Sequence, residues 1–176
     1  VEVDIVSDIA DALWQINEDL NRRFKDDGKL PLFNIAERKN LRDAILDDFA
    51  MEKDDQSFPM KPQKVLWDVR EFMGPDDILL SDVGAHKMWV SRYYQCDTPN
   101  TCLISNGFCT MGFAFPGSIG AKIAMPKRKI LSINGDAGFF MNAQDFETAV
   151  RYKLNVVAMV WMDGEYGLIK WKQQTS

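Results

Sequence analysis

Three aspartates, Asp82, Asp136 and Asp163, each close a short apolar run: Ile78-Leu79-Leu80, Ile130 to Asn134, and Val156 to Trp161. Asp136 lies within Gly135-Asp136-Ala137-Gly138, and Asp163 opens Asp163-Gly164-Glu165-Tyr166-Gly167. Two carboxylates brought side by side repel unless a proton or a cation lies between them. Their hard oxygens suit Mg²⁺, which takes one or two carboxylates and completes its shell with phosphate oxygens and water. Gly135 and Gly138 permit a tight turn and a close approach of backbone N–H groups to an anion. A helix expected from near Asn142 would aim its positive end at the same place. This is the donor set of a diphosphate–metal site. The plainer reading is that Asp and Gly are ordinary residues of surface turns, and spacing alone does not choose between the two. Neither a GxGxxG fingerprint nor a Walker A loop is present; Gly117-Ser118-Ile119-Gly120-Ala121-Lys122 lacks the Lys-Ser/Thr ending.

The elements that must position these residues are short unbroken apolar strands alternating with helical patterns. The strands are expected at Ile78 to Leu80, Cys102 to Ile104, Lys129 to Ile133 and Asn155 to Trp161. A short helix bearing Val65, Leu66, Val69 and Phe72 precedes the first. Another, from Asn142 to Lys153, carries Ala143, Phe146, Val150 and Leu154 along one face. The fold class that follows is α/β, an open, mostly parallel sheet with helices on both faces. Ligands of such sheets bind beyond the carboxyl ends of the strands, where Asp136 and Asp163 stand one helix and one strand apart.

Residues 62–176 carry this pattern, and the stretch before them differs. A strand over Val3 to Val6 and a helix capped by Ser7, with Ile9, Leu13, Ile16, Leu20 and Phe24 at helical spacing, make up residues 1–24. Residues 25–61 read as a linker holding one helix after Asn34, with Leu41, Ile45 and Phe49 on one side. The abrupt start, without methionine or a signal-like layout, is expected of a piece of something larger.

Composition excludes several function classes. With 21 basic and 26 acidic residues in 176, the net charge is −5 and no basic field is present to hold nucleic acid. No apolar run is long enough to span a bilayer. One histidine, His86, excludes a two-histidine metal site. Cys96, Cys102 and Cys109 lack zinc-site spacing and are expected as reduced, partly buried thiols of a cytoplasmic protein.

Taken together, Gly135-Asp136, the intervening helix and strand, Asp163 and the Tyr166-Gly167 pair resemble the cofactor motif of thiamine-diphosphate-dependent enzymes. That motif is written GDG, then roughly 25–30 residues, then NN. Ala137 replaces its third glycine and Met162-Asp163 its paired asparagines, with Asp163 keeping the ligating oxygen. Asn106 to Pro116, with Thr110-Met111-Gly112 at its centre, and Gly84-Ala85-His86-Lys87-Met88-Trp89 resemble the acetolactate-synthase branch. Three motifs thus fall in family order over residues 62–176, and residues 1–24 resemble the last strand and helix of that family's central domain.

The resemblance implies a thiamine-diphosphate-binding fold and assigns roles. Asp136, Asp163 and the backbone carbonyl of Glu165 would bind Mg²⁺. Gly135, Asp136, Ala137, Gly138, Tyr166 and Gly167 would cradle the diphosphate, with Ala85 and His86 on its other side. Met111 would prop the bent cofactor, and the Cys109 carbonyl would meet the aminopyrimidine. The implied reaction of the whole enzyme condenses two pyruvates to 2-acetolactate with loss of CO₂, a transferase step of branched-chain amino-acid biosynthesis. Another 2-oxo-acid decarboxylase or carboligase is the alternative within the family. A receiver-like Mg²⁺ pocket built on Asp82 and Asp136 is the alternative outside it. No catalytic residue is assigned to this chain: the activating glutamate belongs to a pyrimidine-binding domain, normally on a neighbouring subunit of a homo-oligomer. The chain alone is therefore expected to be inactive, and FAD is left open.

Overall fold

Ile78-Leu79-Leu80 is apolar at every position because both of its faces are covered. In the computed structural model, which describes residues 4–27 and 35–175, it is the centre of β1 (Ile78–Ser81). β2 (Cys102–Ile104), β3 (Ile130–Gly135) and β4 (Val157–Trp161) complete a four-stranded sheet of order β2-β1-β3-β4. Every pairing is parallel, with Leu79 opposite Cys102 and Leu131, and Ile133 opposite Met159. The expected α/β class, a parallel sheet between helices, is what the chain forms.

Side-chain alternation along the strands divides the core into two layers. Leu79, Leu131 and Ile133 face α3 (Pro62–Phe72) and α4 (Ala85–Tyr93), packing with Leu66, Val69, Val90 and Tyr93. Ile78, Leu80 and Ile130 face the opposite way, onto Ala114 of α5 (Ala114–Ala124). Phe115, Ile119 and Ala149 extend that second layer. Gly117 lets α5 lie close on the sheet, since a Cβ there would come within 2.9 Å of Leu80 Cδ2. Trp67, Trp89 and Trp161 pack against the first layer, as core aromatics. Arg70 of α3 ties the layer's rim together, donating to Tyr94 Oη (3.1 Å), Gln95 O (2.9 Å), Gly74 O (2.8 Å) and Met73 O.

The chain clusters into two compact units, Val1–Arg42 and Asp43–Ser176. The first contains α1 (Ile9–Asp27) and the start of α2 (Ile35–Ala50). Its expected strand does not form over residues 4–6, where Ile5 and Val6 are exposed and unpaired; Val3 lies outside the described residues. The cap of α1 is Asp8 rather than Ser7, its Oδ1 accepting from the amides of Ala10 (2.9 Å) and Asp11 (3.2 Å). Gly28, in the polar stretch that the sequence pattern places after α1, and the Asn34 signal before α2 lie outside the described residues. In the second unit the end of α2 contributes Phe49, which stacks on Tyr93 with 5.3 Å between centroids.

The single helix expected from Asn142 to Lys153 is two pieces, and a separate short helix precedes them. α6 (Asp136–Met141) starts directly at the end of β3, a 3₁₀ turn covers Ala143–Asp145, and α7 is Phe146–Arg151. The turn shifts the helical phase, so Ala149 is buried and Val150 exposed. Phe72 likewise points outward, and the buried residue at the end of α3 is Met73. Cys96 and Cys109 are exposed rather than partly buried; only Cys102 is half-buried, its thiol pushed up to about 12 by burial and by the neighbouring Cys96.

Candidate active site

Parallel strands deliver their loops to one edge, and here four loops enclose a cavity of about 800 Å³. Every candidate site residue from the sequence lines it: Ala85 and His86 after β1, Cys109 and Met111 after β2, Gly135 to Gly138 after β3, and Asp163, Glu165, Tyr166 and Gly167 after β4. The volume falls in the range of small-molecule and cofactor sites.

The β1 loop enters α4 through Gly84, which offers no side-chain cap; the Lys87 amide donates to the Gly84 carbonyl (3.1 Å), and those of Ala85 and His86 carry no side-chain cap. The ring of His86 lies against Gly84 and Gly135: a Cβ at either would come within 2.8 and 3.3 Å of it. His86 is 5% exposed and its Nε2 has no hydrogen-bond partner. Burial holds this imidazole below its usual pKa, against the pull of the Asp82 carboxyl and backbone carbonyl and of Asp163 and Asp136. A neutral ring with an unpartnered nitrogen at a cavity wall is a donor or acceptor in waiting.

The β3 and β4 loops are joined at the two carboxylates. Asp136 Oδ1 accepts from the amide of Ala137 (2.7 Å), while its Oδ2 accepts from Gly164 (3.1 Å), one residue past Asp163. Asp163 Oδ1 accepts from Glu165 N (3.1 Å). The Glu165 side chain turns to Lys170 in an ion pair, which leaves its backbone as the part available to the cavity. Among the described residues no group of three or more His, Cys, Asp or Glu side chains gathers as a metal site. The helix that follows β3 at this edge is α6, beginning at Asp136, not one beginning at Asn142.

The β2 loop carries Cys109 and Met111. Cys109 takes a left-handed backbone, φ 52°, uncommon for a residue with a side chain and frequent where function fixes a carbonyl. Lys87 of α4 holds this loop, its Nζ lying 3.3 Å from Cys109 Sγ and 3.5 Å from Ser105 O. Gly112, also left-handed at φ 77°, needs glycine for its backbone. The motif reading gave Lys87 no role, and Asp82, a residue of the receiver-like alternative, is fully buried rather than a surface turn residue.

Residues 82–176 match the family described as thiamine pyrophosphate enzyme, C-terminal TPP binding domain. The chain belongs to the thiamine pyrophosphate enzymes. Across 96% of its length it is 33% identical to a probable acetolactate synthase large subunit of Methanococcus aeolicus, of which it covers 29%. It is 36% identical over 69% of its length to an acetolactate synthase of Bacillus subtilis (strain 168), covering 21% of that protein. A pyruvate oxidase of Lactiplantibacillus plantarum is 36% identical over 80% of the chain and is covered to 23%. The chain therefore spans between about a fifth and a third of the length of these thiamine pyrophosphate enzymes. No helix among the described residues is long and apolar enough to cross a membrane.

Proposed function

We propose that this chain is the part of an acetolactate-synthase-like enzyme that holds the diphosphate of thiamine diphosphate through Mg²⁺. The observation that carries the reading is the cavity at the strand ends, lined together by His86, whose buried Nε2 is unpartnered, by Ala85 at the N-terminus of α4, which no side chain caps, and by Asp136 and Asp163. The donor set fits the group. Two carboxylates without a third acidic, histidine or cysteine side chain leave the remaining positions of a hard cation to a backbone carbonyl, water and phosphate oxygens. Asp136 and Asp163 would hold the metal with the Glu165 carbonyl. Gly135, Ala137, Gly138, Tyr166 and Gly167 would cradle the diphosphate, and Ala85 and His86 would close it from α4. Met111 and the Cys109 carbonyl would support the remainder of the cofactor.

Thiamine diphosphate, when bound, supplies the electron sink for decarboxylating a 2-oxo acid. This chain's residues bind and orient it; the activating carboxyl comes from another domain, so the chain alone is inactive. Pyruvate is the proposed substrate and 2-acetolactate the product, in a homo-oligomer whose sites lie between subunits. The receiver-like alternative loses support from Asp82, whose buried carboxyl is already occupied by backbone amides. The test is the full-length protein with thiamine diphosphate, Mg²⁺ and pyruvate, separating acetolactate from acetaldehyde. Acetolactate formation that stops on chelating Mg²⁺ is expected. Absence of thiamine diphosphate binding would overturn the reading, and acetaldehyde as the sole product would move it to a decarboxylase.

A further inference from the structure

Asp82 is fully buried at the end of β1 and takes no part in the chemistry proposed above. Its two oxygens face different segments. Oδ1 accepts from the amide of Val83 (2.7 Å), at the entrance to α4. Oδ2 accepts from the amide of Gly112 (3.0 Å), thirty residues away, directly after Met111. The same Oδ2 lies against Gly138 of the Asp136 turn, where an added Cβ would stand 2.8 Å from it and 3.2 Å from Cγ. The Asp82 amide donates to Ile133 O on β3 (2.8 Å). One carboxyl therefore touches three of the four loops that carry the motif residues. Gly112 is gripped from its other side as well, because Asn142 Nδ2 donates to its carbonyl (2.7 Å). Left-handed Gly112 is thus fixed at both its N–H and its C=O, by two side chains from two other segments.

We propose that Asp82 and Asn142 are positioning residues that clamp Gly112 and so set the spacing between the Asp136 turn, which would take the diphosphate, and Met111, which would support the far end of the cofactor. The inference rests on the proposed cofactor site and deepens it. Its consequence is selective. A ligand that reaches both ends needs the spacing, whereas inorganic pyrophosphate needs only the Asp136 end.

Asp82→Asn tests this, because an isosteric amide cannot accept from both Val83 and Gly112: one N–H would face an NH₂. Binding is measured on the full-length protein by calorimetry with Mg²⁺, using thiamine diphosphate and, separately, inorganic pyrophosphate. The expected result is a loss of at least about tenfold for thiamine diphosphate, with pyrophosphate changed less than about twofold. Equal losses for both ligands would make Asp82 a general support of the fold and overturn the proposal, as would no loss for either. Should Asp82→Asn fail to fold, Asn142→Ala removes the other half of the clamp at a half-buried position and is held to the same split. If the parent binds no thiamine diphosphate, the proposed function fails with it; if the parent binds and the variants show no split, only the clamp fails.

Discussion

Replacing His86 by leucine separates what the site does for the fold from what it does for a ligand. A buried polar atom left without a partner costs roughly 1–3 kcal/mol, and Nε2 of His86 is such an atom. Leucine removes that penalty and keeps an apolar side chain of similar size against Gly84 and Gly135. It also removes the interaction with the Asp82 backbone carbonyl, about 1 kcal/mol. The two changes nearly cancel, so stability at pH 8 should stay within about 1–2 kcal/mol of the parent or rise. The pH dependence should differ more sharply. Burial holds His86 below its usual pKa in the folded chain, while the unfolded chain keeps the ordinary value near 6.5. Between those two values the unfolded state binds a proton that the folded state does not. The His86 contribution is therefore fully present above about pH 6.5 and is lost as pH falls toward the folded pKa, at up to about 1.4 kcal/mol per pH unit. Asp82, Asp136 and Asp163 face the ring and are present in both proteins, so the difference between the two reports the histidine together with its coupling to them. Denaturant unfolding at half-unit steps from pH 8 to pH 5, without Mg²⁺ or cofactor, measures it. The variant should gain on the parent as the pH drops below 6.5. Parallel curves, or a loss above about 3 kcal/mol at pH 8, would refute the picture of a neutral, unpartnered ring.

Asp163→Ala should lose Mg²⁺-dependent thiamine diphosphate binding by about a hundredfold while leaving the unfolding midpoint near the parent's, since its carboxyl is exposed and accepts from the exposed Glu165 amide; unchanged binding in calorimetry removes the metal assignment. Arg70→Ala should do the reverse. It strands Tyr94, Gln95 O and two carbonyls at the end of α3 and should lower stability by about 3 kcal/mol, or a midpoint by about 10 °C in a thermal melt, without altering the Mg²⁺ dependence of binding.

The contrast between these residues explains what the sequence made legible. Strand positions were readable because a parallel strand covered on both faces must be apolar throughout, as Ile78-Leu79-Leu80 is. The residues lining the cavity were readable because the strand ends fix where their loops go, so local motifs at four such ends had to meet. Asp82 was not readable. Its partners, Gly112 and Gly138, are thirty and fifty-six positions away, and nothing in Ser81-Asp82-Val83-Gly84 distinguishes a buried bridge from a surface turn. The helix after β3 failed for a different reason. Its apolar residues fit one continuous period from Ala143 to Leu154, but Asn142 bonds to the Gly112 carbonyl instead of capping a long helix, and the 3₁₀ turn that follows resets the phase. Both misses trace to the same contact region around Gly112. Local pattern describes each loop correctly until a neighbouring loop makes a competing claim on its polar groups, and in this fold such claims concentrate at the edge where a ligand would sit. The residues whose local reading failed there, Asp82 and Asn142, are accordingly the ones whose substitution should disturb the geometry of the site before its composition.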